Sequence, residues 1–188
     1  MLLNSTDVCN RIWDRVDDEL GFSPSCSYTG HDLNTFPPFR ISGMYAVYGI
    51  ENLDEEQAAR MDGLVLGAFL AATGEGERMY ALDWQHSAFL FDPRKLEEME
   101  SVYVADSRYI GGGYLASFPD FYPDGDYYFF IAESLEFGYL GHPWRREVWI
   151  FGEKLVREFE QIYADLGWDL LHTAVGALHE APANEMHA

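Results

Sequence analysis

Pro123-Asp124-Gly125-Asp126-Tyr127-Tyr128-Phe129-Phe130-Ile131-Ala132, with Gly141-His142-Pro143-Trp144 and Trp149-Ile150-Phe151-Gly152 behind it, is the stretch that decides the fold. Pro-Asp-Gly is a turn signal: Pro presets φ, Asp bonds to nearby backbone, and Gly tolerates positive φ. Asp126 to Ala132 then reads as a strand. Tyr127, Phe129 and Ile131 fall on one face and Tyr128 and Phe130 on the other, because successive side chains alternate. Residues 133–136 turn, and Phe137 to Leu140 return as a second strand. After the His-Pro-Trp corner, Glu147 to Phe151 form a third. Gly152 opens a helix whose Leu155, Phe159, Ile162 and Leu166 recur at helical spacing, with Gly167 beyond its end. Strands joined by turns this short pair antiparallel.

Working outward, Val8, Ile12, Val16 and Leu20, widened by Cys9 and Trp13, predict a helix over residues 6–20 with Thr6 as N-cap and Gly21 after it. Residues 22–39, with Pro24, Gly30, Pro37 and Pro38, read as a loop carrying His31-Asp32. Arg40 to Ile50 is a strand apolar on both faces, as a covered strand is. Asp54 caps a second helix with Gln57 in the capping-box position, and Gly74 ends it. Gly63 and Gly67, four apart on that helix, suggest close approach to a sheet. Met79 to Trp84 and Ala88 to Phe91 are two further strands around Asp83-Trp84-Gln85-His86. Lys95 to Glu100 is a helical turn, Ser101 to Ala105 and Tyr114 to Phe118 are short strands, and Leu170 to Leu178 is a weak extra element. The expectation is one α+β domain over residues 1–179: a single antiparallel β-sheet with three α-helices packed mainly on one face. Residues 180–188 are expected to fray as a C-terminal tail.

The chain has 188 residues, enough for one full core, and 48% of them are hydrophobic. Twelve Lys and Arg stand against 32 Asp and Glu, a formal charge of −20. A field of that sign repels nucleic-acid phosphates and anionic membrane surfaces, and it speeds encounter with a basic partner. Cys9 and Cys26 have no metal-ligand spacing. The segment Met1 to Ser5 lacks the pattern of a secretion signal, and the most apolar run, Leu64 to Ala72, is nine residues, too short to span a bilayer. The expected setting is cytoplasmic, with no nucleic-acid or membrane partner.

Three blocks resemble a bacterial family of unknown function, domain-of-unknown-function family 2716: Tyr80-Ala81-Leu82-Asp83-Trp84-Gln85-His86; Phe118-Pro119 with Pro123 to Phe130; and Gly138 to Trp144 running into Ile150-Phe151-Gly152-Glu153-Lys154-Leu155. Trp13-Asp14-Arg15-Val16 is similar too. The resemblance covers residues 8 to 160, and the regions 94–115 and beyond 167 stand apart from it. It implies a single bacterial domain and assigns no activity to it.

Candidate chemistry sits in the polar groups set among apolar strands: Asp83, Trp84, Gln85, His86, Asp126, Tyr128, His142 and Trp144. If the two His-bearing blocks meet in the sheet, His86, Asp126 and His142 are the residues for a divalent metal or for a base oriented by a carboxylate. The ordinary structural roles are a His that fixes a corner and Trp side chains that fill volume. No zinc-type His or Cys spacing and no nucleophile elbow is present, so no cofactor is expected. The favoured expectation is therefore a non-enzymatic, acidic protein-binding module, immunity- or antitoxin-like, that neutralises a basic protein partner. Asp54, Glu55, Glu97, Glu98 and Glu100 are its candidate partner-binding residues.

Overall fold

The computed structural model describes residues 1–22, 39–51, 53–84, 86–123 and 125–175. Cys26, His31-Asp32 and the rest of the loop interior, Gln85, Asp124 and the tail 180–188 lie outside the described residues. Along the chain come α1 (Thr6–Leu20), β1 (Met44–Gly49), α2 (Glu55–Ala72), β2 (Met79–Asp83) and β3 (Ala88–Phe91). A single 3-10 turn, Leu96–Met99, leads to β4 (Val102–Ala105), β5 (Gly113–Ala116), β6 (Tyr128–Ala132), β7 (Gly138–His142) and β8 (Glu147–Phe151). The last elements are α3 (Glu153–Ile162) and β9 (Asp169–Val175). Seven strands form one sheet in the order β3-β2-β6-β7-β8-β1-β9, and every neighbouring pair is antiparallel. β4 and β5 pair only with each other, as a separate hairpin. The architecture is α+β, and the expectation of a single sheet is corrected by that hairpin.

Strands β6, β7 and β8 lie at the centre of the sheet. β6 pairs with β2 on one side, Phe130 opposite Ala81, and with β7 on the other, Phe130 opposite Tyr139. Its two faces enter two different cores. Phe130 and Ala132 pack with Met61, Val65 and Phe69 of α2 and Leu155, Val156 and Phe159 of α3. Tyr127, Phe129 and Ile131 pack with Ile12, Val16 and Leu20 of α1, together with Phe22, Phe39 and Trp149. The expectation that the helices sit mainly on one face holds for two of the three: α2 and α3 cover one face, and α1 covers the other. The physical reason is the pleat. A strand with large apolar side chains at every position exposes one row of them unless both faces are covered.

The caps explain where the helices stop and start. α1 begins after Ser5, not Thr6, and ends at Gly21 with φ 57°, the left-handed conformation that favours glycine. α2 opens on the expected capping box: Gln57 N–H donates to Asp54 Oδ1 at 2.7 Å, and Asp54 N–H donates to Gln57 Oε1 at 2.9 Å. At its other end two cations meet the last carbonyls. Lys154 Nζ donates to Ala72 O at 2.8 Å and Arg94 Nη2 to Thr73 O at 2.6 Å. That placement satisfies orphan acceptors and complements the helix dipole. The outer edge of β3 is also covered, by the first residues of the chain. Leu3 N–H donates to Ala88 O at 2.8 Å and Leu90 N–H to Met1 O at 2.9 Å.

Gly63 and Gly67 do not approach the sheet; a Cβ on either would meet nothing within 4 Å, and both lie on the exposed face of α2. Gly152 is the opposite case. Its φ is 87°, and a Cβ there would collide with Phe137 where β8 turns into α3. Gly63→Ala and Gly67→Ala are each expected to raise unfolding free energy by about 0.5–1 kcal/mol, the cost of glycine inside a helix. Gly152→Ala is expected to lower it by about 1–3 kcal/mol. Urea midpoints of the three variants against the parent check both signs.

Candidate functional site

β2 ends at Asp83, and the link to β3 is a tight turn. Asp83 N–H donates to Ser87 O at 2.8 Å, and His86 N–H donates to Asp83 O at 3.0 Å. Because these bonds fold the link back on itself, Trp84 and His86 do not share a face as they would in a strand. Trp84 stays on the α1 face, edge-on to Tyr127 with ring centroids 5.5 Å apart. His86 swings out over the end of the sheet. There its Nδ1 lies 3.2 Å from Asp83 Oδ1 and 3.5 Å from Asp126 Oδ2.

Asp126 comes from the turn that leads into β6. Its Oδ1 accepts the Tyr127 N–H at 2.8 Å, which leaves Oδ2 turned toward the imidazole. Burial pushes the Asp126 carboxyl above the ordinary range, while the Tyr127 N–H and His86 pull it down. The two carboxylates are largely shielded, at 15% and 19% side-chain exposure, and the imidazole is open at 65%. All three ligand atoms lie within 4.8 Å of one another. The group borders a cleft of about 500 Å³, with Ser87, Ser117, Tyr109, Tyr114 and Tyr128 among its walls. Ser87 Oγ donates to Ser117 O at 2.7 Å and ties the β2–β3 turn to the segment after β5.

His142 is elsewhere. It ends β7 on the α1 side, 1% exposed, with its ring 4.8 Å from that of Tyr127, on which Trp144 stacks at 5.2 Å. Its Nδ1 accepts the Arg145 N–H at 3.4 Å, so Nε2 carries the proton and faces the Tyr127 hydroxyl at 3.4 Å. Burial, with the Arg145 charge beside it, lowers its pKa to about 3. The neutral ring fixes the corner. The structure therefore brings Asp83, His86 and Asp126 together, with Tyr128 on the same cleft. It gathers Trp84, His142 and Trp144 around Tyr127 on the other face, and does not join His142 to His86.

The acidic candidates divide in the same way. Asp54 is held in the α2 capping box, and Glu55 lies exposed in the first turn of that helix. Glu98 accepts the Asp92 N–H at 2.9 Å and a Lys95 bond at 3.3 Å, and the Asp92 backbone bond leads in lowering its pKa. Glu97 and Glu100 are exposed just before β4. Sequence reasoning placed both short strands but missed that they pair only with each other, as a hairpin apart from the main sheet. Val102, Tyr103, Tyr109, Ile110, Tyr114 and Leu115 are all exposed there. The available signal was an apolar segment with no partner at either helical or sheet spacing in the flanking chain.

Comparison with known proteins gives one family. The profile described as "Protein of unknown function (DUF2716)" matches residues 3–156, and the chain belongs to that family. The match spans the 94–115 region expected to stand apart, and it stops before β9. The chain is also similar to "Uncharacterized protein YxiI" of Bacillus subtilis (strain 168). The two are 26% identical over 155 residues, covering 80% of this chain and 86% of the relative. No solved structure matches at a significant level.

The buried His142 makes stability pH-dependent. Its folded pKa lies below the unfolded value of 6.5, so the unfolded chain takes the proton first. The stabilising contribution is complete above pH 6.5 and is lost as pH falls from 6.5 toward 3. His142→Gln is expected to remove this dependence. Between pH 7.5 and pH 5 the parent should lose about 2 kcal/mol more than the variant. Urea midpoints of both proteins at the two pH values check this.

Proposed function

We propose that this DUF2716 member is a protein-binding module for a basic partner, presenting the β4–β5 hairpin as its contact surface. One observation carries the reading. Of eleven exposed large apolar side chains among the described residues, six lie in residues 102–115. Scattered apolar residues are normal on a surface, but a concentration on one projecting element is the mark of an interaction site.

The hairpin is held in shape. A two-stranded ribbon is marginal by itself in water, and this one is tied down at both ends. At its base Ala116 and Val104 pack on the α2 side of the core, and Phe118 N–H donates to Ser101 Oγ at 3.2 Å. At its tip Arg108 makes a two-pronged pair with Asp106, Nε to Oδ1 at 3.0 Å and Nη2 to Oδ2 at 2.7 Å. Asp106 N–H donates to Gly112 O at 2.8 Å. A surface already ordered loses less entropy on binding.

Charge argues for the partner's sign. The chain carries −20, and exposed Glu97 and Glu100 stand at the foot of the hairpin. A basic domain with an apolar patch would find contacts of both kinds there, and the long-range field would raise its association rate. The concrete form of this reading is an immunity- or antitoxin-like protein that neutralises a basic polypeptide in the cytoplasm. In it Glu97 and Glu100 serve as contact acids, while Asp54 and Glu98 also serve the fold.

Ile110→Glu and Leu115→Glu are expected to leave the urea midpoint within about 0.5 kcal/mol of the parent, since both residues are exposed. Affinity capture from the native host with tagged protein should recover a basic protein, released at high salt and lost with both variants. Recovery of no partner, or of one indifferent to the hairpin variants, would overturn the reading.

A further inference from the structure

We propose that Asp83, His86 and Asp126 form a binding site for a first-row divalent cation at the mouth of the cleft, with the protein's open coordination positions facing into it. The site is independent of the partner reading, and it replaces the His142 ligand expected from the sequence with Asp83.

Geometry is the first argument. Donor atoms about 2.0–2.2 Å from a tetrahedral ion stand about 3.3–3.6 Å from one another. Here the imidazole nitrogen lies 3.2 Å from one carboxylate oxygen and 3.5 Å from the other. The third separation falls within 4.8 Å. Three donors so spaced can occupy one face of a tetrahedron or octahedron around a single ion.

Proton counting is the second argument. Nδ1 of an imidazole carries at most one proton, so it donates one well-directed bond. Two carboxylate oxygens converge on it from separate segments, one at the end of β2 and one before β6. A cation held by the Nδ1 lone pair and both oxygens satisfies all three donors and offsets the repulsion between the carboxylates.

Donor chemistry selects the ion. One imidazole with two carboxylates suits Mn²⁺ or Zn²⁺, whereas Ca²⁺ and Mg²⁺ prefer all-oxygen shells. The Asp126 carboxylate is held by its bond to the Tyr127 N–H, and the β2–β6 register fixes the Asp83 backbone opposite Tyr128.

The test uses the full chain, stripped with chelator and titrated with Mn²⁺ or Zn²⁺ alone. Calorimetry should give one site per chain that Asp83→Asn and Asp126→Asn each weaken by at least about tenfold. Circular dichroism of both variants confirms folding. Because a chain this acidic attracts cations everywhere, the site is read by NMR. Substoichiometric Mn²⁺ should broaden the His86 ring signals ahead of those of the other five histidines. No binding at about 1 mM metal, unchanged affinity in both variants, or equal broadening of all histidines would overturn the proposal.

Discussion

Strand β6 carries large side chains on both faces, and the chain around it is arranged to keep both dry. Phe130 faces α2 and α3 while Phe129 faces α1, and each is fully buried. Aromatic rings meet in offset and edge-on contacts through both layers, as Phe121 and Phe130 do at 4.7 Å and Phe22 and Phe129 at 4.9 Å. Such pairs add about 0.5–1.5 kcal/mol beyond the area they bury. The same demand explains why β7 contains Gly138 and Gly141. A Cβ at Gly138 would stand 2.7 Å from the Phe151 ring, and one at Gly141 would stand 2.9 Å from Pro123. Bulk on the neighbouring strands leaves room there for backbone alone.

A core this apolar pushes its polar groups to the strand ends, and which end and which face decides what each one does. His142 ends β7 facing inward, where burial keeps its ring neutral and its two nitrogens serve Tyr127 and Arg145. His86 follows β2 by three residues and faces outward, with two shielded carboxylates at its Nδ1. The same side chain thus serves as a structural pin on one layer and as part of a solvent-facing cluster on the other.

The β4–β5 hairpin stands outside this scheme. It neither extends the seven-stranded sheet nor hides most of its apolar residues, yet its base is anchored to the core and its tip is closed by Asp106 and Arg108. It also walls the cleft beside Asp83, His86 and Asp126 through Tyr109, Tyr114 and Leu115. An exposed apolar surface and a polar cluster therefore lie side by side within the span of the family match.

Local periodicity determined much of this protein. The helix over residues 6–20, the α2 capping box and the strands β6, β7 and β8 were legible because their causes lie within a few residues of one another. The family was legible from short blocks for the same reason. Tertiary structure alone decided the rest. β1 lies between β8 and β9, about a hundred residues downstream, a pairing that no local pattern encodes. The division of the helices between two faces followed from which apolar rows needed cover. The partners of the two histidines followed from where β2, β6 and β7 end in space. Hydrophobic burial is non-directional, so the sequence states how much must be hidden, and only the packed chain settles what hides it.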